Sequence, residues 1–301
     1  MSLPPPHSAA APRRAALLVA APFVALVCTV TAPAAVRADE PPRLEILLVD
    51  EAEWEGAVPQ DVRAVLASSG RELLRHVPDA APPPMEVSAR GGPILLFDRS
   101  AAGNLQVRLD TGGRRWSQYS FQFAHEVCHA ACRERPGRNP AGHLWFEEAL
   151  CETASLFVLR RMAEAWNREP PYPNWAAYAP RLREYAEERL EESPRPPGMT
   201  LAAWYERHRD ELVSHPTDRA NALAVAAGLL PLFEDRPDRW AAIRWLNAAP
   251  ATAPRSFAAH LDAWRREAPA RHTAAIETIA AAFGELLPER DRVVDAAAAA
   301  P

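Results

Sequence analysis

The sequence predicts an α+β protein in which a small mixed β-sheet is followed by a helical region. The first observation is that the strand-like segments all lie before residue 111. The second is that apolar residues recur at helical spacing from residue 116 onward. Strands followed by a run of helices indicate a sheet packed on helices, not a regular alternation of strand and helix.

The first half of the chain contains short apolar segments separated by turn-forming residues. Residues 43–50 are rich in Ile, Leu and Val, and 85–89 and 93–98 have a similar character, so we expect three strands there. Residues 59–77 begin with proline and carry apolar side chains at helical spacing, which predicts a helix. Residues 104–110 alternate apolar and polar side chains, so we expect a strand with one exposed face, lying at a sheet edge.

The second half is predicted to be helical. Two helices at 116–133 and 144–166 are separated by a loop at 136–142 that contains proline and glycine. Further helices are expected at 176–190, 201–214, 218–234, 238–247, 257–266 and 270–286.

The length of 301 residues suits one catalytic domain or two small ones. We predict an N-terminal subdomain at 39–140 with the sheet and the first long helix, a helical subdomain at 141–290, and a disordered tail at 291–301. The formal net charge is −5 and the sequence has no polybasic block, so binding to nucleic acid is not indicated.

Residues 1–38 have the pattern of a secretory signal peptide. Arg13 and Arg14 precede an apolar stretch at 15–36, and Val36 and Ala38 supply the small side chains of a cleavage signal. We therefore expect an exported protein, periplasmic or secreted, with no stable membrane insertion after cleavage. The alternative is an uncleaved membrane anchor.

Three cysteines remain after the predicted cleavage: Cys128, Cys132 and Cys151. An odd number in an exported protein allows at most one internal disulfide and leaves one free thiol. A bridge between Cys128 and Cys151 is one interpretation. The other is that all three are buried thiols in a helical core.

Two histidines four residues apart form the motif with the clearest chemistry. His125 and His129 lie within the predicted helix 116–133, so both imidazoles leave one face of the helix and can bind one ion. Glu126 points partly aside, where it can accept a proton from a water without binding the ion. Catalytic zinc takes three protein ligands and lowers the pKa of the water in the fourth position toward about 7.

The third ligand is predicted to come from the next helix. The residues after the second histidine contain no further histidine at the spacing that a continued helical site would require. Glu148 follows after 18 residues and is the predicted ligand. Glu147, which points about 100° away on the helix, and His143 are the alternatives. Glu152, one turn beyond Glu148, is expected to accept the N–H of the first histidine and so fix its tautomer.

The motif H-E-x-x-H, followed after 18 residues by the glutamate of W-x-x-E-x-x-x-E, resembles the gluzincin metallopeptidases. These include thermolysin-like, aminopeptidase N-like and peptidase MA-like enzymes. The resemblance implies a zincin fold and one zinc ion per chain, bound by His125, His129 and Glu148. It also implies that Glu126 is the general base and that Glu152 supports the site from behind the ligands.

The family also has a donor that holds the oxyanion of the reaction. Tyr205 lies 57 residues after Glu148 and is the first candidate, and His215 is the second. His208 and Arg219 lie in the same region. The G-x-M-E-N strand with which aminopeptidases hold a free amine has no counterpart here, so the resemblance implies an endopeptidase more readily than an aminopeptidase.

We therefore expect a secreted or periplasmic zinc endopeptidase that hydrolyses a peptide or protein substrate through a zinc-bound water. The alternative is a non-catalytic zinc-binding envelope protein of the same fold, acting as a binding or structural module. Glu126 favours the enzyme, because a structural site needs no base beside an open coordination position. The unsettled oxyanion donor favours the alternative. The sequence indicates neither the substrate specificity nor the oligomeric state.

Overall fold

The computed structural model describes residues 44–49, 54–78, 80–96, 98–133, 143–249 and 256–288. These residues belong to the compact unit that the chain forms from Glu40 onward. Their architecture is α+β, as the sequence predicts, with a four-stranded sheet followed by a series of helices. The predicted signal peptide, the residues predicted to form the loop at 136–142 and the predicted tail lie outside the described residues.

Four short strands form a mixed sheet. They are β1 (Ile46–Leu48), β2 (Met85–Ser88), β3 (Ile94–Leu96) and β4 (Leu105–Arg108). The strand order is β1-β2-β4-β3, in which β1, β2 and β4 are parallel and β3 is antiparallel to β4. Alternate residues of β2 and β4 are buried, so one face of the sheet packs on the core.

The position of β4 differs from the prediction. It pairs with β2 on one side and with β3 on the other, so it is an interior strand, and β3 lies at the edge of the sheet. Alternation of polar and apolar residues reports which face of a strand is buried. It does not report whether both backbone edges have partners, which is why the inference from alternation to a sheet edge was wrong.

Three helices build the centre of the molecule: α1 (Pro59–Leu74), α2 (Trp116–Cys132) and α3 (Leu144–Trp166). Proline opens α1, where its missing N–H costs no hydrogen bond. The helix α2 packs against both α1 and α3, and α3 also packs against several later helices. Most residues of α3 are buried, so it serves as the central helix.

Five further α-helices follow: α4 (Ala179–Glu191), α5 (Leu201–Ser214), α6 (Arg219–Asp235), α7 (Phe257–Glu267) and α8 (Thr273–Ala282). Three 3₁₀ helices also lie in the described part of this region, one before α4 and two between later helices, at Pro173–Tyr178, Pro237–Trp245 and Ala270–His272. The side chains of Thr200, Asp218 and Ser256 accept a backbone N–H at the starts of α5, α6 and α7, as N-capping residues do.

Two of these segments differ from the predicted helices. The segment predicted as a helix at 238–247 is a 3₁₀ helix, because the spacing of apolar residues in so short a segment does not separate the two helix types. The last helix ends at Ala282, before its predicted end. Gly284 has a φ of 77° there, the left-handed conformation that ends many helices.

The predicted boundary between the two subdomains falls at residues 140 and 141, outside the described residues. The helices on either side of it, α2 and α3, pack on each other, and their apolar side chains belong to one core. The division into subdomains stays a prediction. Within the described ranges, no helix is both long and apolar enough to span a membrane.

Candidate metal centre

The helices α2 and α3 bring the histidines and the acidic residues together. At one end of the helix pair, Ser155 donates its hydroxyl to the carbonyl of Phe121 at 2.8 Å. Toward the other end, Arg133 contacts Glu147. The contacts therefore run in opposite order along the two helices, which means that the helices are antiparallel. The two histidine rings lie one turn apart on α2, with their centroids separated by 4.9 Å.

Glu148 lies between the two histidines. Its Oε2 is 3.2 Å from Nε2 of His125, and its Oε1 is 3.5 Å from Nε2 of His129. Burial alone would raise the pKa of Glu148, but the hydrogen bonds and charges of the two histidines outweigh burial and lower that pKa. Glu148 is therefore held as a carboxylate that faces both ring nitrogens.

The spacing of these atoms matches that of ligands around an ion of the size of zinc. Nitrogen and oxygen ligands lie at about 2.0–2.2 Å from zinc, so two ligands in tetrahedral arrangement are separated by about 3.3 Å. The two observed nitrogen–oxygen separations, 3.2 and 3.5 Å, lie on either side of that value. The carboxylate of Glu148 thus lies at ligand-like separations from one nitrogen of each histidine, through a different oxygen in each case.

Cys151 provides a second possible third ligand, one that the sequence reasoning did not consider. One ring nitrogen from each of His125 and His129 and the sulfur of Cys151 all lie within 4.8 Å of one another, so this group could hold a metal ion. Cys151 follows Glu148 by three residues and faces the same helix. The two differ in access, because Glu148 lines an open cleft, whereas Cys151 is fully buried and is not among the residues lining that cleft.

All three cysteines of the described residues are free, buried thiols. The thiols of Cys128, Cys132 and Cys151 lie close enough to shift one another's pKa, so the three sulfurs form a cluster between α2 and α3. The structure thus agrees with the interpretation of three buried thiols and contains no bridge between Cys128 and Cys151.

Glu126 lies beside the histidines and outside the group of ligand candidates. Its side chain is buried, yet it borders the same cleft as His125 and His129. Burial raises the pKa of Glu126; the histidine charges and a hydrogen bond from the backbone of Leu95 oppose this effect, and the charge of Glu148 adds to it. A carboxylate with a raised pKa accepts protons more readily than an ordinary glutamate.

Glu147 supports the far side of His129. Its Oε1 is 2.7 Å from Nδ1 of His129 and accepts a hydrogen bond from Nε of Arg133, and its Oε2 accepts one from Nδ2 of Asn247 at 2.8 Å. Sequence reasoning treated Glu147 as a rival of Glu148 for the metal. The structure instead turns it toward the nitrogen that points away from the candidate metal position, where it fixes the tautomer of the ring.

Glu152 faces Nδ1 of His125, the ring nitrogen that points away from Glu148, as the sequence predicts. The distance between the two groups is greater than that of a hydrogen bond. Its Oε2 is 3.8 Å from Nδ1 of His125, beyond the expected hydrogen-bond distance. Its Oε1 is 3.7 Å from Nη2 of Arg189, so the carboxylate is shared between a histidine and an arginine. Burial raises the pKa of Glu152, against the effects of His125, Arg189 and Arg219.

A cleft of about 780 Å³ opens over this group. Its floor follows α2 from Gln118 to Arg133, a rise of about 22 Å. The edge strand β3 borders the cleft, and no residue of β4 is among the described residues that line it. The remaining lining residues come from α3, from α4 and from the start of α6: Leu144, Glu148, Glu152, Tyr185, Arg189, Thr217, Arg219 and Ala222.

Three sequence candidates are not brought to the cleft. His143 is buried at the start of α3 against His260, with ring centroids 4.8 Å apart. Tyr205 stacks on Trp145 at 5.7 Å in an aromatic cluster, and burial raises its pKa to about 12. His215 is exposed at the end of α5. None of the three is among the described residues that line the cleft.

Comparison of the chain with protein-family models, with curated proteins and with solved structures gave no match. The chemistry of the site therefore has to be inferred from its own residues. These are two histidines, a carboxylate between them, a buried glutamate beside them and an open cleft above them.

Proposed function

We propose that this chain is an exported, zinc-dependent endopeptidase of the gluzincin type, with one zinc ion held by His125, His129 and Glu148. The observation that carries the proposal is the position of Glu126. It is a buried carboxylate that borders the same cleft as the three ligands but is not one of them. A site that only holds metal for stability has no use for such a group.

Each residue of the site has a separate role in the proposed hydrolysis. A zinc ion held there would polarise the substrate carbonyl and lower the pKa of a water toward about 7. Glu126 accepts the proton of the attacking water and then delivers it to the leaving nitrogen. The backbone of Leu95 fixes the Glu126 carboxylate, and Glu147 fixes the ring of His129.

The shape of the cleft supports cleavage within a chain. The cleft continues along α2 on both sides of the histidines, from Gln118 to Arg133, so substrate residues can lie on both sides of the cleaved bond. β3 lies at the sheet edge and Ile94 is exposed. An extended peptide can pair with a strand in that position through backbone hydrogen bonds.

The test is metal-dependent cleavage of a peptide library with blocked ends. We expect the zinc-loaded protein to cleave internal bonds, to lose the activity when a chelator removes the metal, and to regain it with one equivalent of zinc. Mass spectrometry of the products identifies the bonds cleaved. Zinc loading without cleavage of any library member would contradict the peptidase.

The alternative is a non-catalytic zinc protein, and Cys151 is the observation that favours it. Cysteine is a common ligand of structural zinc sites, and Cys151 is fully buried and does not line the cleft. In that case the protein would bind zinc but cleave no peptide. Removal of the zinc would lower the melting temperature of the protein.

Substitution of Tyr205 by phenylalanine is expected to leave kcat/KM within about twofold of the wild type. The hydroxyl lies in the aromatic cluster and not at the cleft, while the ring, which makes the packing contacts, is retained. Steady-state kinetics on a peptide identified in the library provide the measurement. A loss of about 10²-fold, the effect of removing an oxyanion donor, with an unchanged melting temperature would mean that Tyr205 does reach the substrate.

A further inference from the structure

One half of the cleft is rich in hydrogen-bond donors. Arg189 and Tyr185 of α4 line it together with Arg219. They lie on the side of His125, because Arg189 is 3.7 Å from Glu152 and the charge of Arg219 also acts on that carboxylate. The opposite end of the cleft floor is formed by Arg133, which is paired with Glu147.

Arg189 is held in a fixed position with part of its donor capacity unused. Its guanidinium lies 5.3 Å over the ring of Phe121, and its Nη1 donates to Glu192 at 2.5 Å. Its Nε is buried and has no hydrogen-bond partner among the described residues. The side chain as a whole is 25% exposed and lines the cleft, and its Nη2 lies 3.7 Å from Glu152, beyond hydrogen-bond distance, so an oxygen of a ligand can accept a hydrogen bond from this guanidinium.

Tyr185 adds a third donor to this half of the cleft. Its ring packs edge-on against Phe121, with the centroids 5.9 Å apart. Its hydroxyl forms no hydrogen bond with a described residue, and burial raises its pKa, so it remains a phenol that can donate a proton to a bound oxygen.

Arg219 is the cation of this group without a partner among the described residues. It is exposed, lines the cleft, and forms neither a hydrogen bond nor an ion pair with any residue that the structure describes. It is also the first residue of α6, where a positive charge opposes the helix dipole. Helix stability therefore does not explain an arginine at this position, whereas binding of an anion does.

The charges nearby decide which arginine recognises an anion. Glu152 and Glu192 both lie next to Arg189 and offset its charge. Arg219 has the unpartnered guanidinium, whose planar pair of N–H groups matches the two oxygens of a carboxylate.

We propose that Tyr185, Arg189 and Arg219 form a carboxylate subsite, which selects peptides that carry a carboxylate on the His125 side of the cleft, with Arg219 as the main cation. The proposal rests on the proposed peptidase for the peptide nature of the ligand. The carboxylate can belong to an acidic side chain or to the C-terminus, since both present the same two oxygens.

The test measures binding and not cleavage, so that it is independent of catalysis. Labelled peptides are titrated into zinc-loaded Glu126→Gln protein, and fluorescence polarisation reports the Kd. In the first set, both peptides have an amidated C-terminus and differ at one position, which is Glu in one peptide and Gln in the other. The position of this difference is moved along the peptide from one pair to the next. In a second set, the two peptides differ by a free against an amidated C-terminus. We expect the acid member of one pair to bind about tenfold more tightly, as the loss of one charge-assisted contact implies.

Two variants assign the effect to Arg219. In Arg219→Gln the acid and amide peptides should bind equally, while the zinc content stays unchanged. Arg209→Gln, an exposed arginine of α5 paired with Glu206, is the matched control and should keep the tenfold preference. The pair that shows the preference identifies the source of the carboxylate.

Equal binding of acid and amide in both sets, or no peptide binding, would overturn the subsite. A tenfold preference that persists in Arg219→Gln would overturn the role of that residue. If the preference is present and depends on Arg219, while the wild type cleaves none of the peptides, the subsite stands and the proposed peptidase fails.

Discussion

Glu126→Gln is expected to keep its zinc and to lose hydrolysis by about 10²–10⁴-fold, the usual contribution of a general base. Glutamine has nearly the shape of glutamate but cannot take up a proton. Glu126 is not one of the proposed ligands, and it is also absent from the group of His125, His129 and Cys151 that could hold a metal ion. Metal affinity should therefore change little while kcat falls.

Steady-state kinetics on a library-derived peptide and elemental analysis of the same protein sample provide the two measurements. Glu206→Gln is the matched control, because Glu206 is an exposed glutamate of α5 paired with an arginine. That variant should retain both zinc and activity. Loss of zinc in parallel with activity in Glu126→Gln would assign Glu126 to the metal and remove the base from the proposed mechanism.

The sequence indicated which residues would lie close together better than it indicated which of their atoms would be in contact. The four-residue spacing in H-E-x-x-H places both histidines on one face of any helix, so their proximity follows from helix geometry alone. Glu148 and Glu147 are adjacent in the sequence, and only the rotation of α3 about its axis decides which of them faces the Nε2 atoms. That rotation depends on the packing of the helix on the rest of the core, which a short motif does not encode.

The same limit applies to residues that reach the site from distant parts of the chain. Asn247 donates to Glu147, and Arg189 lies beside Glu152, but nothing local distinguishes this asparagine or this arginine. Tyr205 shows the reverse case. Its distance from Glu148 along the chain suggested a role in catalysis, whereas its ring stacks on Trp145 inside an aromatic cluster.

For the fold, the elements were easier to predict than their arrangement. The limits of α3 at 144 and 166 were predicted as observed, because apolar residues recur at helical spacing between Gly142 and His143 before the segment and Asn167 and Arg168 after it. The order of the strands could not be inferred from composition, since the alternating β4 is an interior strand and the apolar β3 lies at the edge. Only their backbone partners show that β3 occupies the edge beside the cleft.

Glu148→Ala is expected to lose zinc, whereas Cys151→Ala is expected to keep it. Glu148 approaches the Nε2 atoms of both histidines at 3.2 and 3.5 Å and is held ionised by them. Burial and the neighbouring thiols raise the pKa of Cys151 well above its ordinary value, so zinc would have to displace a proton from this thiol. Cys151 is also fully buried and does not line the cleft, whereas Glu148 does. Removal of a residue that only supports a ligand weakens metal binding by about 10–100-fold. Loss of Glu148, a proposed ligand itself, should weaken zinc binding by more than that.

Competition with a chromophoric chelator measures the zinc affinity of both variants, and cobalt substitution identifies the ligand atoms. Cobalt bound by two histidines and a carboxylate lacks the intense near-ultraviolet band of a thiolate ligand, so wild type and Cys151→Ala should give the same spectrum. A thiolate band that disappears in Cys151→Ala, together with zinc retained in Glu148→Ala, would exchange the third ligand. The metal ligands would then be His125, His129 and Cys151. Because Cys151 is buried and does not line the cleft, the non-catalytic zinc protein would be the better account of this fold.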